Sequence, residues 1–406
     1  MIKTGVDVVE IQRFSQMKNL DTFLKRVFTG QENEYFSKKK NPFESIAGHY
    51  AAKEAFSKYM GTGMRGFGWK DIEIFHDSLG KPVIRFMGQP ASVDLSITHS
   101  KTTAVAVVCG EECPLDGIYA QEIKAYQALL PKRRENMHKG DCGHLFILAG
   151  SRGMTGAAAL CATGALRCGT GLITLGTPAS QQPILAVKLT EAMTLPLPEE
   201  EGMLCAQAEN AIAGQMTKSD ACVIGPGLGR APLLFQTLSR LLETGKPLLI
   251  DADGLNALAE HIDILRHSHG DVVLTPHPGE MSRLCGKSIS EIEASREKTA
   301  ADFAEQYGVT LVLKGKNTVI ASPRGEIHIN PTGNSGMATG GMGDVLSGII
   351  GSLLGQGLSG FQAAVLGTFL HGLAGDLAAE RLGEFGMIAG DVADLLPQAI
   401  RRLQNP

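Results

Sequence analysis

The chain has 406 residues, 43 % of them hydrophobic and 20 % charged, with a formal net charge of −4. That length implies two or three globular domains, the charge argues against a general nucleic-acid binder, and no apolar run approaches a membrane span. The opening stretch MIKTGVDVVEIQRF carries charges where a signal peptide needs an apolar core. The cysteines at 109, 113, 142, 161, 168, 205, 222 and 285 contain no CxxC pair. They read as reduced thiols of a cytoplasmic protein and argue against a structural zinc site.

Residues 1–112 read as a small α+β unit. IKTGVDVVEI (2–11) looks like a strand running into a turn, and FESIAGHYAAKEAFSKYM (43–60) is an alanine-rich helix ended by Gly61. Short strands follow in DIEIFHD (71–77), KPVIRF (81–86), VDLSITHS (93–100) and TTAVAVV (102–108), with a hairpin turn at Leu79–Gly80. Through residue 65 there are eleven Lys or Arg against seven Asp or Glu, including the run Lys38–Lys40. That excess is either a solvated face or a docking surface for an acidic partner.

Residues 113–120 look like a linker, and 121–406 follow a different rhythm. HLFILAG (144–150), LITLGTP (172–178), ACVIGPG (221–227), PLLIDADG (247–254), DVVLTPHPGE (271–280) and VTLVLKG (309–315) are short apolar strands ending in Gly, Pro or Asp. Helical stretches follow most of them, which implies a mostly parallel sheet covered by helices on both faces. Ligands bind beyond the C-terminal strand ends of such sheets, where these tips lie.

NSGMATGGMGDVLSG (334–348) sets glycines before an apolar helix. Gly340, Gly341 and Gly343 would leave bare backbone N–H groups at a helix N-terminus, where the dipole favours an anion. Asp344 would be the first side chain past that hole, able to take a proton from a hydroxyl beside a phosphoryl group; the plainer reading is a helix cap. GPGLGR (225–230) fails as a dinucleotide fingerprint because Arg230 stands where a glycine is needed, and CGKS (285–288) fails as a phosphate loop at Met281. Asp253 could place a metal or substrate, or only orient its turn.

The glycine-rich stretch resembles the ribokinase-like superfamily. With HKGDCGHLFILAGSRGMTGAAALCATGALRCGTGLITLGTP (138–178), GPGLG (225–229), IDADGLNAL (250–258), LTPHPGEMSRL (274–284) and LKGKNTVI (313–320), residues 121–406 resemble the ADP/ATP-dependent NAD(P)H-hydrate dehydratase family. The resemblance implies a repair reaction: a nucleotide phosphorylates the extra hydroxyl on the ring of hydrated NADH or NADPH, phosphate leaves, and NAD(P)H is restored. It implies Asp344 as the base, Gly340, Gly341, Met342 and Gly343 as the hole for the transferred group, and Lys314, Gly315, Lys316, Asn317 and Thr318 as the nucleotide segment. Gly156, Ala157, Gly227 and His277 match positions lining the hydrate pocket, although His277 could be only a turn histidine. The epimerase domain often fused to this family is not in the sequence, so a separate epimerase is expected.

In the first unit Asp7 interrupts an apolar strand, and Glu54 lies one helical turn before Lys58. A strand carboxylate and a helix carboxylate suit magnesium with substrate phosphates; alternatively Asp7 caps a turn and Glu54–Lys58 is a surface pair. GVDVVEIQRF (5–14), RVFTGQENEYF (26–36), FESIAGHYAAKEAFSKYMGTG (43–63), WKDIEIFHDSLGKP (69–82) and LSITHSKTTAVAVV (95–108) resemble the holo-acyl-carrier-protein synthase family of 4′-phosphopantetheinyl transferases. This implies transfer of 4′-phosphopantetheine from coenzyme A to acyl carrier protein, with Asp7 and Glu54 holding Mg2+. It further implies Lys58 facing the pyrophosphate, His99 near coenzyme A, Arg13, Lys25 and Arg26 meeting the carrier, and a trimer. His49 stands where that family usually has Arg, so coenzyme A binding through it would be weaker or differently arranged.

Overall fold

Side chains along Ile2–Glu10 alternate faces as in a strand, with Gly5 and Val9 buried and Thr4, Val6, Val8 and Glu10 exposed. The computed structural model describes residues 2–60, 67–91, 93–111, 120–231 and 233–404, and the chain divides into two compact units, Met1–Ile123 and Lys124–Gln404. In the first unit, β1 (Ile2–Glu10) precedes three short helices and the long α1 (Pro42–Met60). Then come β2 (Ile72–His76), β3 (Pro82–Phe86), β4 (Val93–His99) and β5 (Thr103–Glu111). β1, β5 and β4 form an antiparallel sheet in that order, and β2 pairs with β3 in a hairpin turned by Leu79 and Gly80. Val9, Ala104, Ala106 and Val108 point to the core with Ile46, Ala51 and Phe56 of α1, while Val6, Val8 and Val107 face outward. The helix stop expected at Gly61 lies outside the described residues.

Most of the expected linker also lies outside them. Ala120 opens a helix, Ala120–Leu129, whose later part belongs to the second unit: Tyr126 stacks on Phe369 at 3.8 Å and its hydroxyl bonds His328.

The second unit holds β6 (His144–Leu148), α2 (Thr155–Arg167), β7 (Leu172–Pro178), β8 (Met193–Leu197) and β9 (Ala221–Ile224). β10 (Leu248–Ile250), α3 (Asp253–Ala259), β11 (Val272–Leu274), α4 (Pro278–Cys285), β12 (Thr310–Leu313), β13 (Val319–Ala321) and β14 (Ile327–Ile329) follow. The chain closes on α5 (Met342–Gly355), α6 (Gly360–Leu382) and α7 (Ala389–Gln404). Among the described residues the sheet has nine strands in the order β14-β13-β12-β11-β10-β9-β6-β7-β8. β8 through β12 run parallel across it, and β13 and β14 are antiparallel. Continuous apolar runs such as Leu145–Leu148 and Leu311–Leu313 are buried on both sides, as expected for a sheet covered by helices. Strand order reverses between β6 and β9, so a crevice opens there beyond the strand ends. Among the described residues no helix is long and apolar enough to cross a membrane.

Candidate active sites

Two strand ends of the second unit meet the start of α5. Asp251 follows β10, Lys314 follows β12, and Asp344 lies in the first turn of α5. Gly341 caps α5 with φ +90°, a left-handed conformation that glycine adopts without strain. A side chain at Gly340 would meet nothing within 4 Å, so the backbone is open to a ligand there. Gly341 precedes α5, and Met342 and Gly343 already belong to its first turn, where N–H groups lack helical partners.

Lys314 Nζ donates to Asp251 Oδ1 at 2.8 Å and lies 3.8 Å from Glu280 Oε2. Ser347 Oγ, on α5, donates to the other Asp251 oxygen at 2.7 Å. Burial alone would push the Lys314 ammonium down, but the charges of Asp251, Glu280 and Asp344 outweigh it and keep its pKa above the ordinary value. Asp344 forms no hydrogen bond with the described residues. Burial, then the neighbouring Asp251 charge, raise its carboxyl to about 6 against the pull of Lys314. The site therefore holds a fixed cation, an anion hole and a carboxyl that titrates near neutrality.

Gly225 is bound into this site by shape: at φ +126° it carries no side chain, and a Cβ would sit 1.8 Å from Asp251 O. Gly227 comes against Ala157, since a Cβ on it would approach that of Ala157 to 3.0 Å, while Gly156 is exposed beside it. Gly225 and Gly227 follow the end of β9, and Gly156 and Ala157 lie in the first turn of α2. His277 caps α4: its Nδ1 accepts from the N–H groups of Gly279 and Glu280 at 2.9 and 3.3 Å. The proton of the neutral ring is therefore on Nε2, 3.5 Å from Glu280 Oε1. His277 thus joins the Lys314 network through Glu280. Asp253 accepts from the Gly229 N–H at 2.8 Å, so it orients the turn. In the expected nucleotide segment, Gly315, Lys316 and Asn317 are exposed and Thr318 closes the turn on Gly315 O at 3.0 Å. Lys314 departs from that segment by turning inward to Asp251.

In the first unit, Lys58 Nζ donates to Asp7 Oδ1 and to Val6 O, both at 2.9 Å, tying α1 to β1. Glu54 accepts from the Tyr50 hydroxyl at 3.1 Å. Burial and the Glu54 carboxylate raise the Tyr50 pKa, with Arg13 opposing this and Asp7 adding to it, so both carboxylates act on the Tyr50 hydroxyl. Two hard oxygen donors on facing elements, with further positions for water and phosphate oxygens, fit magnesium. His99 is exposed at the end of β4.

His49, the residue expected to meet coenzyme A, is buried. Its side chain is 3 % exposed and stacks on Tyr35 at 5.3 Å. Its Nδ1 lies 3.4 Å from Glu32 Oε1. Glu32 also receives Lys53 Nζ at 2.8 Å and the N–H groups of Thr29 and Ile74 at 2.9 and 3.3 Å. Burial pushes the Glu32 carboxyl up, but the bonds from His49 and Lys53 more than offset it and leave it below its ordinary value. Burial lowers the His49 pKa in spite of Glu32, so its ring is neutral. The reason is packing: position 49 faces the core, and its polar partner is a carboxylate. Sequence reasoning missed the Glu32–Lys53 pair, although Thr29-x-x-Glu32 is a capping-box pattern. It also missed Asp251, Glu280 and Ser347, whose link to Lys314 exists only in three dimensions.

A mostly parallel sheet covered by helices, with a glycine-capped helix N-terminus at its strand ends, defines a ribokinase-like domain, preceded here by a separate α+β domain. Residues 145–398 match the NAD(P)H-hydrate dehydratase family, and residues 3–109 match the 4′-phosphopantetheinyl transferase superfamily. The chain belongs to the NAD(P)H-hydrate dehydratase family and carries a phosphopantetheinyl transferase domain before it. It is 48 % identical over 278 residues to the bifunctional NAD(P)H-hydrate repair enzyme Nnr of Moorella thermoacetica, covering 68 % of this chain and 52 % of that protein. It is 38 % identical over 278 residues to the ADP-dependent (S)-NAD(P)H-hydrate dehydratase of Neisseria meningitidis, covering 67 % of this chain and 88 % of that one. The crystal structure of the ADP/ATP-dependent NAD(P)H-hydrate dehydratase of Bacillus subtilis, co-crystallised with ATP and Mg2+, superposes with a TM-score of 0.61 at 32 % identity, covering 69 % of this chain and 97 % of that one. The chain spans about half the length of the bifunctional relatives it matches.

Proposed function

We propose that the second unit dehydrates (S)-NAD(P)H-hydrate at the expense of ADP or ATP. The observation that carries this reading is Asp344, a carboxyl raised to about 6 beside an open helix N-terminus. At neutral pH it is mostly ionised and can accept the proton of the ring hydroxyl. The hydroxyl oxygen then attacks the terminal phosphorus of the nucleotide, whose bond to the bridging oxygen breaks, so that AMP leaves from ADP, or ADP from ATP. The N–H groups around Gly340–Gly343 and the Lys314 ammonium stabilise the charge that spreads over the phosphoryl oxygens. The ring C–O bond then breaks, phosphate leaves, and the adjacent ring carbon gives up a proton to form the double bond of NAD(P)H. Gly156, Ala157, Gly227 and His277 would border the hydrate, and Gly315–Thr318 the nucleotide. The N. meningitidis relative is named for ADP and the B. subtilis structure was grown with ATP, so both nucleotides belong in the assay. Incubation with hydrate and nucleotide should yield NADH and phosphate in equal amounts. A phosphorylated product that accumulates without NADH would instead mark a small-molecule kinase.

For the first unit we infer transfer of 4′-phosphopantetheine from coenzyme A to acyl carrier protein. Asp7 and Glu54 would hold Mg2+, which would neutralise the pyrophosphate charge, and Lys58 would leave Asp7 to meet that pyrophosphate. The outward valines, with Val6 opposite Val107 and Val8 opposite Val105, support self-association through this sheet, in line with the trimer implied by the resemblance. A specific observation favours a second reading: His49, neutral and buried, supplies no cation to coenzyme A, which suits a non-catalytic carrier-binding or assembly module. A phosphopantetheine mass gain on apo carrier protein, lost in Asp7→Ala, supports transfer; no gain supports the module.

A further inference from the structure

The loop that forms the anion hole leaves and returns along one helix. Thr332 Oγ1 donates to Phe369 O on α6 at 2.9 Å. Two turns later Asp376, also on α6, accepts from the Gly333 N–H at 3.0 Å and from Asn334 Nδ2 at 2.9 Å. Asn334 in turn uses its own oxygen to accept from the Gly336 N–H at 3.0 Å. The loop lies flat against α6 because Gly372 and Gly375 leave it room: a Cβ at either would come within 2.3 Å of Thr332 or Met337. At the far end, His371 of the same helix forms a backbone hydrogen bond with Met342. Ser335 is bonded to Glu384 just past α6. The Gly340–Gly343 hole is thus suspended between contacts from one stretch of α6.

We propose that Asp376 is a positioning residue for phosphoryl transfer: by holding Gly333 and Asn334, it sets where the Gly340–Gly343 N–H groups point. Its role is exerted through the loop it holds. The inference rests on the dehydratase reading for its kinetic part. A carboxylate that accepts two N–H bonds in a half-buried setting is a strong tether, and displacement of a catalytic constellation by about 1 Å costs roughly 100-fold in rate.

The test uses the full chain and four forms: wild type, Asp376→Ala, Asp376→Asn, and the exchange Asp376→Asn with Asn334→Asp. In the exchange every bond can be kept. The amide introduced at 376 accepts from Gly333 N–H and donates to the carboxylate introduced at 334, which still accepts from Gly336 N–H. In Asp376→Asn alone two amide donors face one another, a milder lesion if the alanine variant folds poorly. Two quantities are read: steady-state NADH formation from the hydrate, and hydrogen–deuterium exchange of the Gly336–Gly343 amides. Both single variants should lose about 10- to 100-fold in kcat, with KM for the hydrate changed less than about threefold. Their loop amides should exchange about tenfold faster or more. The exchange variant should recover most of both. A single variant with wild-type kcat, or an exchange variant as slow as the single ones, overturns the proposal. If wild type forms no NADH from the hydrate, the dehydratase reading is what fails, and unchanged loop exchange in Asp376→Ala then removes the tether as well.

Discussion

Lys314 Nζ and Asp251 Oδ1 lie 2.8 Å apart, with the lysine side chain 19 % exposed and the aspartate side chain 2 % exposed. The pair fixes a cation beside the first turn of α5 and sets the electrostatics felt by Asp344. Removal of one partner leaves an uncompensated buried charge, which costs about 3–5 kcal/mol. Asp251→Ala should therefore lower the unfolding free energy of the second unit, read from urea melts, by that order and depress activity. Lys314→Met removes the neighbouring cation that lowers the Asp344 pKa, so the acidic limb of the rate profile should move to higher pH.

Asp344 gives a second prediction. With a folded pKa near 6 against an ordinary 3.8, kcat/KM for the hydrate should rise with pH through about 6 as the carboxyl ionises. Stability runs the other way. A carboxyl whose pKa is raised by folding favours the fold when protonated, and that contribution is lost as pH rises from about 3.8 to about 6. Asp344→Asn should abolish the pH-dependent limb, cut kcat by about 100- to 10,000-fold, and raise the unfolding midpoint measured at neutral pH.

The Glu32–Lys53–His49 cluster makes the first unit acid-labile in two stages. His49 has a folded pKa below its ordinary 6.5, so stability from keeping it neutral is complete above 6.5 and falls as pH drops below that value. Glu32 has a folded pKa below 4.5, so its contribution is complete above 4.5 and is lost as pH falls through the folded value. Glu32→Gln should cost about 3–5 kcal/mol, because Lys53 is fully buried. Thermal melts of the first unit between pH 4 and 8 test both, with about pH 6.5 as the first break.

Chelation of Mg2+ should stop phosphopantetheine transfer, and Glu54→Ala should do the same with little effect on stability, since Glu54 is bonded only through the Tyr50 hydroxyl among the described contacts. Loss of transfer in Lys58→Ala with metal-dependent binding of coenzyme A intact would place Lys58 on the pyrophosphate. Mass measurement of the carrier and calorimetry with coenzyme A separate these outcomes.

Much of this architecture is legible in the sequence because its signals are local. The strands Leu172–Pro178 and Ile2–Glu10 are fixed by short-range patterns of apolar residues, and the anion hole by glycines clustered before an apolar helix. What escapes are partnerships across the chain. Asp251 meets Lys314 63 residues later and Ser347 96 residues later, so nothing near Asp251 marks it as a counter-ion. His49 is legible as a substitution for an expected arginine. Its burial is not, because the carboxylate and aromatic rings that enclose it come from Glu32, Tyr35 and His76. Likewise Lys314 reads as part of a surface loop until the sheet brings β10 beside β11 and β12.

The most direct test of the central claim is a side-by-side assay of wild type and Asp344→Asn with (S)-NADH-hydrate and either ADP or ATP, following NADH and released phosphate together. The account predicts equimolar NADH and phosphate from wild type and almost none from the variant. NADH formed at the wild-type rate by Asp344→Asn, or nucleotide consumed by wild type with no NADH, would contradict it.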